Sequence, residues 1–323
     1  MCILKEILER MLRDLQEDYR EQVYECDVVR FSGNLLSDNI LECFYTKSMK
    51  FDDGIFYADN IPEMGDHSFL QEASHFAETV TDTSLWHKHR DRCIVSVVKR
   101  WLPRGCGFVD VGGGNGHIAN LLQSEGYDVA LVEPVCYYVQ NAKRRGVKNI
   151  VNGLFDASIV KPISVPAIGL FDVLEHIEND GDFISGVLPL LGDKGKIVVA
   201  VPAYDFLRSE KDDKSMHFRR YTIHGLRNLF LHNKCDILQE TYFFSFLLPL
   251  VFLLKALPYR IFKKKHNAAS IDLKRLRKEH TLGNNAMFSL LAIERYFISH
   301  GKKIPFGASC LIVAQKNESA HMI

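Results

Sequence analysis

Apolar positions along the chain fall into two textures. Residues 3–25 place Ile3, Leu4, Ile7, Leu8, Met11, Leu12 and Leu15 at helical spacing, which predicts an amphipathic entry helix. Residues 26–65 break into short strand-like runs interrupted by Gly and Asp, and residues 69–102 return to helical patterning that ends at Pro103-Arg104-Gly105. From Gly107 the pattern alternates. Short buried runs at 107–111, 128–132, 149–151, 167–171 and 196–201 predict strands. Segments 117–123, 135–145 and 180–191 between them predict helices, and Thr222 is placed to cap another through His232. Residues 235–246 and 309–315 are two further strand candidates. Strands alternating with helices predict a largely parallel sheet covered on both faces, whose ligands bind at the carboxyl ends of the strands.

The chemistry concentrates at those ends. Asp110-Val-Gly112-Gly-Gly114-Asn-Gly116 closes the first core strand, and Glu133 closes the second. Glycines let a backbone turn tightly and approach a ligand without a Cβ in the way. A helix start beyond them aims N–H groups at one point. Gly114-Asn-Gly116-His-Ile-Ala119 also fits the G-x-G-x-x-A dinucleotide fingerprint, so the glycines alone indicate an adenosine-containing ligand. Asp110 separates the two readings. A carboxylate before the loop repels a pyrophosphate but suits a ligand carrying an ammonium and a sulfonium. The P-loop pattern is absent.

Phe108–Gly116, Val132-Glu-Pro134 and Phe171-Asp-Val-Leu-Glu-His-Ile177 together resemble the class I S-adenosylmethionine-dependent methyltransferases, in the branch that holds the quinone-biosynthesis O-methyltransferases. Ser84–Arg92, Met216-His-Phe-Arg-Arg-Tyr-Thr222, Leu291-Ala-Ile-Glu-Arg295 and Ile304–Ile312 resemble segments of a bacterial subgroup with an N-terminal zinc ribbon. The resemblance implies an α/β, Rossmann-like seven-stranded sheet, with a ribbon-like and helical appendage before it and a helical insertion before the last strand. The implied division is 1–65 entry helix and ribbon-like segment, 66–104 helical lead-in, 105–240 core, 241–303 apolar and basic insertion, and 304–323 last strand and tail. It further implies S-adenosylmethionine as cofactor. Asp110 would meet its amino group, Gly112, Gly114 and Gly116 would wrap it, and Glu133 would hold the ribose. Asp156 would bind the adenine amine with Phe155 beside the ring, and Asp172 would line the methionine side.

For the acceptor, His176 and His217 are the candidate catalytic bases. Arg219, Arg220 and Tyr221 are candidate substrate contacts, since paired arginines suit a carboxylate or phosphate. Trp86 and Arg90 lie in a helix that could fold over the cofactor, although ordinary packing also accounts for Trp86. In the ribbon-like segment, Cys26 and Cys43 remain where each pair would begin, but Val29 and Thr46 stand where the second cysteines would be. Two sulfurs do not close a tetrahedral site, so the expectation is a metal-free remnant packed around Leu35, Ile40, Phe44, Ile55 and Phe56.

Composition adjusts this picture. Lys and Arg total 40 and so do Asp and Glu, which argues against a dedicated nucleic-acid binder. The balance is uneven along the chain. Residues 51–83 hold eight acids and no Lys or Arg, whereas 255–280 hold nine bases against two acids. The uncharged run 241–254 is too short to span a bilayer, which needs about 20 apolar residues. Followed by bases, it leaves open a peripheral membrane contact through 246–265 as well as a packed lid or dimer helix. The eight cysteines form no framework and the N-terminus has no leader pattern, so a cytoplasmic protein is expected, or one peripheral at the inner membrane face. The expected partner is a small or amphiphilic acceptor, anionic in one version, with no nucleic acid; the sequence leaves the oligomeric state open. The competing readings are an NAD-dependent oxidoreductase and a non-catalytic adenosyl-binding assembly module.

Overall fold

The computed structural model describes residues 39–61, 85–262 and 281–317. The entry helix at 3–25, with Cys26, Val29 and Leu35, lies outside the described residues, as does the basic run after Phe262.

Nine strands form one sheet. In chain order they are β1 (Lys50–Asp52), β2 (Ile55–Tyr57), β3 (Gly107–Val111), β4 (Asp128–Glu133), β5 (Asn149–Asn152), β6 (Val165–Phe171), β7 (Leu191–Pro202), β8 (Cys235–Phe243) and β9 (Ser309–Lys316). Their spatial order is β1-β2-β5-β4-β3-β6-β7-β9-β8. Strands β5 to β7 run parallel and β9 runs antiparallel between β7 and β8. The seven expected strands are present. The count rises to nine because hairpin β1–β2 pairs β2 in parallel with β5 and extends the sheet.

Successive side chains on a strand point to opposite faces, so every core strand feeds two apolar layers. Val109 and Val111 enter one layer and Phe108 the other; Ile197, Val199 and Val201 oppose Val198 and Ala200. The first layer includes α4 (Asp180–Val187), α6 (Ile223–His232) and Ile40, Cys43 and Phe44 from the N-terminal segment. Thr222 caps α6 by accepting from the Gly225 N–H at 3.0 Å. The buried Cys43 thiol donates to the Ser164 carbonyl at 3.0 Å, as an ordinary core thiol does.

The second layer includes α1 (Leu85–Trp101), α2 (His117–Ser124), α3 (Cys136–Arg144) and α9 (Thr281–Ser299). Helix α1 buries Cys93, Ile94, Val97 and Val98 against the sheet. A polar knot ties it to α9 and to the end of β8. The Glu294 carboxylate, 1% exposed, meets His89 Nε2 at 2.7 Å and accepts from the N–H groups of Phe244 and Ser245 and from the Ser245 hydroxyl. Burial would raise the Glu294 pKa, but these bonds outweigh it and hold the group below its ordinary value of 4.5. Trp86 stacks on Phe244 with ring centroids 3.6 Å apart, so its role here is packing.

The apolar run after β8 forms α7 (Leu248–Val251), a π-turn over Phe252–Ala256 and α8 (Leu257–Phe262). Between β7 and α6 lies α5 (Glu210–Lys214). Among the described residues, no helix is long and apolar enough to cross a membrane.

Removing a buried group that holds four partners is costly. We expect Glu294→Ala to lower the unfolding free energy by about 3 kcal/mol in urea titrations. A carboxylate whose folded pKa is depressed stabilises above its unfolded pKa and loses that contribution as pH falls. Below pH 4.5 the wild type should therefore lose stability more steeply than Glu294→Gln.

Candidate functional site

Strands β3, β4, β6, β7 and β8 end on one edge, and the backbone is unusual there. Asp172, Tyr204 and Phe244, just past β6, β7 and β8, all have positive φ. Such strain in non-glycine residues tends to cluster at functional edges.

The glycines of the loop after β3 act in different ways. Gly112, Gly114 and Gly116 have φ of 65°, 53° and 72°. A Cβ on Gly112 would lie 2.9 Å from Val173, and one on Gly116 would lie 2.7 Å from Ala142. A Cβ on Gly113 would strike the Asp110 carboxylate at 2.7 Å. Gly114 alone of the four faces open space. Open space on the Cβ side therefore lies at Gly114, while Gly112 and Gly116 are packed closely against Val173 and Ala142.

Beneath the loop lies a charge cluster. Asp110 is 1% exposed and its Oδ2 has no hydrogen-bond partner among the described residues. Glu133, at the end of β4, accepts from the Gly114 and Val135 N–H groups at 3.0 Å each. Burial raises the pKa of Asp110 and of Glu133 to about 7. Arg90 of α1 reaches into the cluster, pairing with Asp172 at 2.9 Å and with Asp91 at 3.1 Å. Burial alone would lower its pKa; Asp172, Asp91, Asp110 and Glu175 outweigh that and raise it. Arg90 Nε has no hydrogen-bond partner among the described residues. Asp91 also meets His117, the first residue of α2, at 2.9 Å. Sequence reading singled out Arg90 but missed Asp91 and His117, whose only signal is their spacing from it.

After β5, Asp156 caps its own turn through Ser158 and accepts from Asn60 Nδ2 at 3.1 Å. Asn60 follows β2, so the hairpin reaches this wall of the site. Phe155 is 7% exposed and packs in the core, and Leu154 beside it is the exposed side chain.

The two candidate bases lie beyond Asp172. The rings of His176 and His217 meet edge to face with centroids 4.6 Å apart. Burial first, then the His217 charge, holds His176 below the ordinary imidazole value. His217 Nδ1 lies 2.9 Å from Asp212, which is 2% exposed and also accepts from Arg220 Nε and from Ser209. Burial opposes ionisation of Asp212, but these partners drive its pKa well below the carboxylate range. Glu175, 1% exposed, stands beside both imidazoles, and burial followed by the Asp172 charge raises its pKa far above its ordinary value.

Each of the expected substrate contacts has partners within the chain. Arg219 pairs with Asp180 at 3.1 Å and donates to the Glu178 carbonyl. Arg220 is taken up by Asp212 and the Ala203 carbonyl. The buried Tyr221 hydroxyl donates to Asp180 at 2.7 Å and lies 3.1 Å from the Leu174 carbonyl. These three residues brace the loops after β6 and β7.

Residues 85–240 match the model of a family described as a methyltransferase domain. The matched segment runs from α1 into β8 and holds Arg90, the glycine loop, Glu133 and Asp172. Solved structures similar to the chain include Haemonchus contortus phosphoethanolamine N-methyltransferase 2 in complex with S-adenosylmethionine, at 14% identity and a TM-score of 0.45, covering 71% of this chain and 53% of that one. This chain thus spans about half the length of that protein. A TehB-like methyltransferase from Corynebacterium glutamicum is 12% identical, with a TM-score of 0.46 and coverage of 78% and 100%. No curated protein matches the chain.

The orphaned Asp110 Oδ2 and Arg90 Nε suit the ammonium and carboxylate of the cofactor's methionine end, and the space over Gly114 admits it. Asp110 and Glu133 ionise as pH rises through about 7, and only the ionised forms attract a cation. Affinity for S-adenosylhomocysteine should therefore rise about tenfold from pH 6 to pH 8 by calorimetry. Gly114→Ala should fold, at a cost of about 1 kcal/mol for its left-handed φ, and bind the cofactor more weakly.

Proposed function

We propose that the protein transfers the methyl group of S-adenosylmethionine to an oxygen of an amphiphilic acceptor seated at His176 and His217. The observation that carries this reading is the convergence of the two imidazoles one turn past Asp172, with Asp212 fixing the tautomer of His217. Methyl transfer is an in-line displacement on an activated carbon, so the enzyme's work is alignment and removal of the acceptor's proton. The acceptor's proton leaves beside the Glu175–His176–His217 cluster. The membership proposed is the bacterial subgroup resembled by Met216–Thr222 and Leu291–Arg295. The two carboxylates under the loop weigh against the dinucleotide reading.

Amphiphilicity is supported by the helices after β8. Phe246, Leu250, Leu253 and Ile261 are 47–60% exposed and recur at helical spacing. Arg260 lies beside Ile261, and the sequence Lys263-Lys264-Lys265 follows. The same segment borders the acceptor side, because Tyr259 donates to Asp213 next to Asp212. The proposed arrangement is this stripe on an anionic lipid surface, with the acceptor entering from it.

Labelled methyl groups offered with a cell extract should appear in the lipid fraction. His217→Ala should lower that incorporation at least a hundredfold while leaving the binding of S-adenosylhomocysteine intact. The protein should float with liposomes containing anionic lipid, and the double variant Leu250→Asp/Leu253→Asp should not. Transfer confined to water-soluble products, with no flotation, contradicts the lipid acceptor.

A further inference from the structure

We infer that Glu175, His176 and His217 form a site for a divalent transition-metal cation on the acceptor side. This rests on the proposed oxygen acceptor and deepens it.

Three observations converge. One carboxylate oxygen of Glu175 and one ring nitrogen of each histidine lie within 4.8 Å of one another. Ligands sharing a tetrahedral cation with bonds of about 2.1 Å stand about 3.4 Å apart, a contraction that a small rotation of the more exposed His176 supplies. Second, Glu175 is 1% exposed and its Oε2 has no hydrogen-bond partner among the described residues. A buried polar atom left without a partner is costly and calls for a ligand. Third, both imidazoles are held from behind, as metal-ligating histidines are. Asp212 lies 2.9 Å from His217 Nδ1, which leaves Nε2 available, and the Ser215 carbonyl faces His176 as an acceptor.

Two imidazoles and one carboxylate favour Zn²⁺, Mn²⁺ or Co²⁺ over Mg²⁺ or Ca²⁺. Three protein ligands leave positions open for an acceptor oxygen. Coordination there lowers the pKa of an acceptor hydroxyl. Its proton passes to water, its oxygen forms the new bond to the methyl carbon, and the carbon–sulfur bond breaks with the electron pair remaining on sulfur. The histidines then act as ligands, and bracing by Asp212 sets their aim.

The test titrates the metal-free full chain with Mn²⁺, Zn²⁺ and Co²⁺, each alone, and measures S-adenosylhomocysteine binding in parallel. We expect about one site per chain and a Co²⁺ visible spectrum indicating nitrogen ligation. His217→Gln and Glu175→Gln should each weaken the site at least tenfold, and His217→Gln should leave the S-adenosylhomocysteine affinity within twofold. A wild type that binds S-adenosylhomocysteine but none of the three cations overturns the metal site and leaves the methyltransferase reading standing. Cation binding that both variants retain also overturns it. Failure to bind S-adenosylhomocysteine would instead count against the cofactor site.

Discussion

The site depends on one buried arginine. Buried Asp91, Asp110 and Glu175 converge with the half-exposed Asp172 at the carboxyl ends of β3 and β6. Like charges in such a place neutralise or push apart unless a cation stands among them. Arg90 is that cation. It pairs with Asp172 and Asp91 directly and lowers the cost of ionising Asp110 and Glu175. Because it sits on α1, outside the alternating core, the placing of that helix is part of the chemistry. The Glu294 knot and the Trp86–Phe244 stack hold α1 in register with the end of β8.

The proposed acceptor side follows the same logic with opposite materials. There the structure spends its strong ion pairs on loops. Asp212 gathers Arg220, His217 and Ser209, and Asp180 gathers Arg219 and Tyr221. These contacts rigidify the segments after β6 and β7, so that His176 and His217 meet and Glu175 keeps an oxygen free. A methyl transfer needs this kind of alignment more than it needs a strong base.

Much of this was legible in the sequence, for physical reasons. The core strands are continuous apolar runs bounded by Gly and Pro, and buried parallel strands must look that way. Asp110, Glu133 and Asp172 were found because they close such runs. What was missed lacks a local signature. Hairpin β1–β2 joins the sheet edge through pairing with β5, about 95 residues further along the chain, and no local pattern carries that. Whether Arg219 and Arg220 face a ligand or Asp180 and Asp212 is decided by tertiary contacts alone. Phe155 and Leu154 could exchange faces by a one-residue slip. The three distinct duties of Gly112, Gly114 and Gly116 depend on Val173 and Ala142, which come from other elements.

The central claim is that Arg90 makes the carboxylate cluster a receptor for the methionine end of the cofactor. Calorimetry of S-adenosylhomocysteine on the wild type and on Arg90→Met tests it most directly, with near-ultraviolet circular dichroism as the check on folding. The expected result is binding to the wild type and at least a tenfold loss in the folded variant. Equal affinity in the two folded proteins would contradict the account.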